Sequence, residues 1–210
     1  SLWTFRQKYL YRNDEGDIQE TPRLAVYRMA RSMAEVEFNY GKSLEEVEKI
    51  TKDFCEVIYK KNFAPAGRGW TNMGTEVKGL FNCYVLPIED DLAGIFESVK
   101  NAAIIHKNGG GTGYNYSTLR PRGFYVKKSK GVASGPVSFI TQFDRETEVI
   151  NSGNRRGANM GILRYDHPDI MNFITCKKDN MFLENFNISV AIDEFFMEAV
   201  KNNEEYDLIN

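Results

Sequence analysis

Beyond about residue 80 the chain alternates short apolar runs with longer amphipathic ones, and this alternation restricts its fold more than any other feature. Strands are expected near 82–88, 112–117, 158–164, 186–192 and 205–209, and helices near 91–107, 136–150, 167–177 and 194–202. Each helix start offers a capping side chain: Asp90, Ser134 before Pro136, Asp166 before Pro168, and Asp193. Strand, helix and strand in repeated succession imply right-handed crossovers and a parallel sheet of five strands. Such a sheet needs cover on both faces. The helices suffice for one face. The last expected strand stops at Asn210, so the other face awaits a second half that these residues do not supply.

The first third reads as helical. Thr21 caps a helix that opens with Pro22, where the missing N–H costs nothing. Val26, Met29, Met33 and Val36 recur at helical spacing, and Gly41 stops the run. Ser43 and Glu46 suit a capping box, after which Leu44, Val47, Ile50, Phe54 and Ile58 continue one apolar face. Cys55 lies beside that face and reads as a small core residue. From Pro65, glycines at 67, 69 and 74 mark an irregular stretch up to about Gly79. The expected division is a helical region over 1–66 and an α/β unit over 67–210.

Composition excludes several function classes. No apolar run is long enough to span a membrane, and no basic segment followed by an apolar one marks a secretory signal. A net charge of −2 without basic blocks gives no nucleic-acid surface. Cys55, Cys83 and Cys176 are odd in number and far apart, which argues against a disulfide scaffold or a paired-cysteine zinc site. A reducing cytoplasm is the simplest compartment.

Two glycine-rich segments and one cysteine are the candidates for chemistry. In Lys107-Asn-Gly-Gly-Gly-Thr-Gly-Tyr-Asn-Tyr116, successive glycines leave backbone bare to a ligand. It is not a Walker loop, because Tyr114 follows Gly113, and it leaves a helix to open a strand, the reverse of a dinucleotide fingerprint. A helix cap would explain one glycine, not three. Asn151-Ser-Gly-Asn-Arg-Arg-Gly157 also lies between a helix and a strand, and its arginines suit an anion, unless they are only solvated charges. Cys83 starts the first strand, and a lone cysteine is more often buried packing than chemistry. All three precede strands, so a parallel sheet gathers them at its amino end. Asp90-Asp91 and Asp166-His-Pro-Asp169 could ligate a metal, but helix capping explains them more simply. His106 reads as structural, and Leu119-Arg-Pro-Arg122 as a solvated turn that could hold phosphate.

Several segments, in order, resemble the large subunits of ribonucleotide reductases: Asn82-Cys-Tyr-Val-Leu-Pro87, Gly109-Gly-Gly-Thr-Gly113, Ser117-Thr-Leu-Arg-Pro-Arg-Gly123, Ser134-Gly-Pro-Val-Ser-Phe139, Arg155-Arg-Gly-Ala-Asn-Met160, Asp166-His-Pro-Asp-Ile170 and Asn185-Phe-Asn-Ile-Ser-Val190. The triple glycine, the Arg-Arg-Gly-Ala-Asn-Met segment and the Asn-Phe-Asn-Ile-Ser-Val strand are most similar to the adenosylcobalamin-dependent class. The resemblance implies the first, five-stranded parallel half of a ten-stranded α/β barrel, following an amino-terminal helical segment. It implies removal of the ribonucleotide 2′-hydroxyl by thiyl-radical chemistry, with two further cysteines as reductant. Cys83 matches the first of that reducing pair. Asn82, Gly109 and Gly110 match substrate-binding positions. Asp90, Arg120, Arg155 and Arg156 match positions that bind or relay a dNTP or ATP effector. The implied partners are the ribonucleotide, the effector, a dithiol reductant such as thioredoxin, and the remainder of the catalytic chain or a second chain; a homodimer is compatible with it.

Two features depart from the family pattern. The radical-bearing cysteine of the family lies in an Asn-x-Cys-x-Glu loop, which is absent here, and the second reducing cysteine is also missing. The sheet argument further puts Asp90 and Arg120 at the carboxyl ends of strands, away from residues 151–157. Two alternatives stand beside the main reading: a large subunit served by a separate di-iron partner, and a non-catalytic nucleotide-binding regulatory module.

Overall fold

The computed structural model describes residues 2–77, 79–126, 130–152, 155–178 and 182–209. They form two compact units, Ser1–Phe81 and Asn82–Asn210.

The first unit is helical. It contains α1 (Leu2–Lys8), α2 (Pro22–Ala34), a 3-10 segment (Glu35–Tyr40), α3 (Leu44–Tyr59) and α4 (Gly67–Asn72). Thr21 Oγ1 accepts from the Leu24 N–H at 3.3 Å, with Pro22 opening α2 as expected. The Ser43–Glu46 capping box forms: Glu46 Oε2 accepts from the Ser43 N–H at 2.8 Å, and the Ser43 hydroxyl accepts from the Glu46 N–H at 3.3 Å. These bonds to Ser43 hold the Glu46 carboxyl below its ordinary range. Gly41 ends the 3-10 segment at φ +81°. Val26, Met29 and Ile58 form the core, with Met33, Cys55, Trp70 and Met73 packed around it.

Three expectations for this unit are corrected. The chain tightens to 3-10 geometry after Ala34, which turns Val36 outward. Leu44 and Phe54, expected on the apolar face of α3, are exposed. The glycine-marked stretch is also not wholly irregular. Gly67 and Gly69 lie within α4, and Gly69 is buried beside Pro65 and the Met29 sulfur. Arg28 secures that segment, donating to the carbonyls of Trp70 and Met73 while pairing with Glu20 at 2.7 Å. Burial here outweighs the poor helix propensity of glycine.

The second unit contains β1 (Cys83–Leu86), α5 (Leu92–Lys107), β2 (Gly111–Asn115), β3 (Tyr125–Val126), β4 (Gly131–Val132), α6 (Pro136–Val149), β5 (Asn151–Ser152), β6 (Arg155–Arg156), β7 (Asn159–Arg164), α7 (Ile170–Thr175), β8 (Phe186–Ala191) and α8 (Glu194–Asn202). The main sheet is wholly parallel with order β1-β2-β7-β8; β3-β4 and β5-β6 are small antiparallel pairs. The alternating pattern of a strand gives the sheet two faces. Thr112, Tyr114, Asn159, Leu163 and Phe186 are buried on one. They join Ile95, Ala102, Ile140, Phe143, Ile170 and Phe173 of the helices in one core. Each large apolar side chain so buried contributes roughly 1.5–3 kcal/mol. The opposite face carries Cys83, Val85, Met160, Asn187 and Ser189, all exposed, with Val85 at 86%.

The fold class stands: amino-terminal helices precede a parallel half-barrel sheet. It differs from expectation at its far edge. Residues 204–209 form no strand, so the described sheet has four strands rather than five. The Ile209 N–H donates to the Asp166 carbonyl at 2.7 Å, and the Tyr206 ring sits 5.1 Å from Tyr165. Those contacts draw the segment toward the end of β7 instead of along β8. Capping also differs. Asp91, not Asp90, caps α5 by accepting from the Gly94 N–H at 3.0 Å. Gly135 rather than Ser134 precedes α6, and Asp169 rather than Asp166 precedes α7, neither with a side-chain cap. Asp193 caps α8 as expected, accepting from the Phe196 N–H at 3.0 Å. Among the described residues no helix is long and apolar enough to cross a membrane.

Candidate active site

Cys83 is the first residue of β1, and its alternation with Tyr84 puts its thiol on the open face of the sheet. Parallel pairing sets Cys83 beside Gly111. A Cβ on Gly111 would stand 3.1 Å from the Ala158 carbonyl oxygen and 4.0 Å from the Cys83 sulfur. Glycine therefore keeps bare backbone next to the thiol. The next row across the face is Val85, Gly113, Met160 and Asn187. Bare backbone at Gly111 and Gly113 thus borders the cysteine, with the exposed apolar side chains of Val85 and Met160 and the amide of Asn187 beyond it.

The triple glycine has three separate explanations. Gly109 is the left-handed residue after α5, at φ +71°. Its N–H donates to the His106 carbonyl at 2.7 Å, and the Gly110 N–H donates to Ile105 at 2.9 Å. These two bonds form a Schellman cap. Gly110 is buried, and a Cβ there would lie 2.7 Å from Ile105 Cγ2 and 2.9 Å from the Tyr84 ring. Gly111, not singled out from the sequence, is the glycine of the three that faces the open side. Its signal was the strand period of Cys83 combined with the parallel register. Asn82 is exposed, and its carbonyl accepts from the Gly111 N–H at 2.8 Å.

Strands β5 and β6 form a two-stranded antiparallel hairpin that pairs Asn151 with Arg156 and Ser152 with Arg155 through the backbone. Gly153 and Asn154 lie outside the described residues. Gly157, at the foot of the hairpin, packs on the His106 ring: a Cβ there would stand 2.8 Å from His106 Cγ. The structure therefore brings Cys83, Gly109–Gly111 and the hairpin to the amino end of the sheet.

Asp90 and Arg120 meet at the opposite end. Arg120 Nε donates to Asp90 Oδ2 at 2.8 Å, and its backbone N–H donates to Oδ1 at 3.1 Å. Both side chains are about one-third exposed, at 35% and 33%. The Asp166-His-Pro-Asp169 segment braces this turn. His167 Nε2 donates to the Leu119 carbonyl at 2.8 Å, while Asp169 Oδ2 accepts from the Arg122 N–H at 2.8 Å. Asp166 pairs with Arg164, whose guanidinium holds its carboxyl below the ordinary range. No group of three or more metal-ligating side chains occurs among the described residues. Cys176 packs against the helix-side core, across the sheet from Cys83, and burial pushes its thiol up; burial does the same to Cys55 in the helical unit.

The chain matches two family models: "Ribonucleotide reductase, all-alpha domain" over residues 1–78 and "Ribonucleotide reductase, barrel domain" over 81–210. It is 39% identical to a vitamin B12-dependent ribonucleoside-diphosphate reductase of Thermoplasma acidophilum, an alignment that covers 97% of this chain and 34% of that protein. A vitamin B12-dependent ribonucleoside-diphosphate reductase of Mycobacterium tuberculosis is 38% identical, over 100% of this chain and 30% of that protein. The ribonucleoside-diphosphate reductase subunit alpha of Helicobacter pylori J99 is 30% identical over 84% of this chain and 22% of that protein. The chain thus spans about a third of the length of the first two relatives. The paired domain models, and the identity sustained along the chain, mean that it belongs to the ribonucleotide reductase large-subunit family.

Proposed function

We propose that this chain forms part of the catalytic subunit of a cobalamin-dependent ribonucleotide reductase and that Cys83 is one of its two reducing thiols. The observation that carries the reading is the exposed Cys83 thiol beside the bare backbone of Gly111. In the net reaction the 2′-hydroxyl leaves as water, a hydrogen takes its place, and two thiols become a disulfide. One partner thiol and the radical-bearing cysteine come from outside this chain, because Cys55 and Cys176 are packed into cores. The ribose lies on the open face, with Asn82 and Gly109–Gly111 along its edge. Asp90 and Arg120 hold the effector's ribose and phosphates, and Arg155 and Arg156 relay its identity to the base. A thioredoxin-type dithiol restores the pair, which suits a reducing cytoplasm.

Adenosylcobalamin supplies, when bound, the radical that starts the chemistry. No imidazole among the described residues is available to ligate its cobalt. His106 is held between Glu146 and Thr112, and His167 between the Leu119 carbonyl and the Asp169 N–H, so neither imidazole is free to ligate cobalt. Two B12-dependent relatives at 38–39% identity, each aligned over nearly the whole of this chain, favour this class over one served by a di-iron partner.

The test is Cys83→Ser in the chain joined to the remaining two-thirds that its relatives possess. Multiple turnover with a dithiol reductant should fall to background. Turnover at the wild-type rate would refute the assignment.

A further inference from the structure

Behind the amino end of the sheet, on the face away from Cys83, lies a buried polar cluster that the sequence did not reveal. His106 is fully buried at the end of α5. Its Nδ1 lies 2.9 Å from Glu146 Oε2 of α6, and its Nε2 lies 2.9 Å from Thr112 Oγ1 of β2. The Thr112 hydroxyl donates to Asn159 Oδ1 of β7 at 2.7 Å and accepts from the Tyr114 hydroxyl at 2.7 Å. Asn159 Nδ2 donates to Thr147 Oγ1 at 2.8 Å and to the Asn185 carbonyl at 3.2 Å.

Each ring nitrogen of His106 thus has a polar partner, Glu146 at Nδ1 and Thr112 at Nε2, and the Tyr114 hydroxyl lies within reach of both Thr112 Oγ1 and Asn159 Oδ1. A fully satisfied buried network fixes geometry, and one missing member leaves the others unpaired in low dielectric.

What the cluster fixes is the backbone that faces Cys83. Thr112 directly follows Gly111, and its N–H donates to the Ala158 carbonyl at 3.0 Å. Asn159 follows Ala158, the residue whose carbonyl limits Gly111. Gly157 rests on the His106 ring and Thr147. We propose that His106, Glu146, Thr112 and Asn159 are positioning residues that set Gly111 and Gly157–Ala158 against Cys83, and so set how tightly the ribonucleotide is held there. This rests on the functional reading given above. None of the four side chains points to the open face. They act on the substrate through the backbone of their neighbours.

The test uses the assembled enzyme with Glu146→Gln and Thr112→Val, which keep shape and remove a charge or a hydroxyl, and Thr112→Ser, which restores the hydroxyl. The ribonucleotide KM should rise about tenfold in the first two with kcat within about twofold, the pattern of uniform binding weakened by about 1.4 kcal/mol. Thr112→Ser should return KM to the wild-type value. Equal KM in Thr112→Val, Thr112→Ser and wild type would overturn the proposal, as would a fall in kcat with KM unchanged. If Glu146→Gln does not fold, the valine and serine pair carries the same test. Amide exchange separates this proposal from the functional reading. Even if wild-type enzyme reduced no ribonucleotide, Glu146→Gln should speed exchange at Gly111 and Gly157 while leaving Ile188 of β8 unchanged. Equal exchange at all three would overturn the positioning role by itself.

Discussion

Gly157→Ala should destabilise the protein much more than alanine at neighbouring sheet glycines. A Cβ at residue 157 would stand 2.8 Å from His106 Cγ, 2.9 Å from His106 Cδ2 and 2.9 Å from Thr147 Cγ2. Non-bonded carbons settle at roughly 3.5–4.0 Å, so the methyl overlaps each by ~0.6 Å or more. His106 cannot yield freely, because it is fully buried with both ring nitrogens engaged. Overpacking costs about 1–3 kcal/mol. A ring that tips away to relieve the clash breaks a buried hydrogen bond, at a similar cost of about 1–3 kcal/mol. A loss of about 3 kcal/mol is expected, which at about 2–4 °C per kcal/mol lowers Tm by about 6–12 °C. Two other glycines calibrate the argument. At Gly113 the nearest atom to a Cβ is 3.9 Å away and φ is not positive, so Gly113→Ala should lie within about 0.5 kcal/mol of wild type. Gly111→Ala meets the Ala158 carbonyl at 3.1 Å and should cost about 1 kcal/mol. Thermal unfolding by calorimetry reads all three. Equal Tm values for the 157 and 113 variants would refute the claim that Gly157 is seated on the buried cluster.

The Arg164–Asp166 pair gives a pH dependence. The folded Asp166 carboxyl titrates below its unfolded value, so its contribution is full at neutral pH and is lost as pH falls through the folded value. Asp166→Asn should therefore lower Tm at pH 7, and the gap from wild type should close in acid; a gap that persists there would contradict the pairing. Thiol alkylation should follow exposure and burial: Cys83 reacts first, and Cys55 and Cys176, whose thiols burial pushes up, lag behind. Peptide mass spectrometry after brief iodoacetamide treatment measures that order, and equal labelling of the three would contradict it.

Local signals were legible in the sequence, and long-range ones were not. Thr21, the Ser43–Glu46 box and Asp193 cap their helices because a cap needs only the next few residues. The cap of α5 falls on Asp91, one position beyond Asp90, because the Asp90 oxygens are taken by Arg120, 30 residues away. The α/β alternation placed four strands and their helices, since each period is written in its own segment. The fifth strand depended on a neighbour that local pattern cannot supply. The gathering of Cys83 with the glycine-rich segments followed from parallel topology alone. Choosing Gly111 over Gly109 and Gly110 required knowing which way each faces. His106, Thr112, Glu146 and Asn159 are polar residues on buried faces, and only their mutual distances show that they satisfy one another.

The redox role proposed for Cys83 is tested most directly by following its thiol through one turnover. The assembled enzyme, fully reduced and then freed of external dithiol, is given ribonucleotide and adenosylcobalamin. Its free thiols are alkylated, and its disulfides are mapped by mass spectrometry. The account predicts deoxyribonucleotide at about one equivalent per active site, with Cys83 in a disulfide to a cysteine outside this chain and Cys55 and Cys176 still free. Product formed while Cys83 remains a free thiol would contradict it.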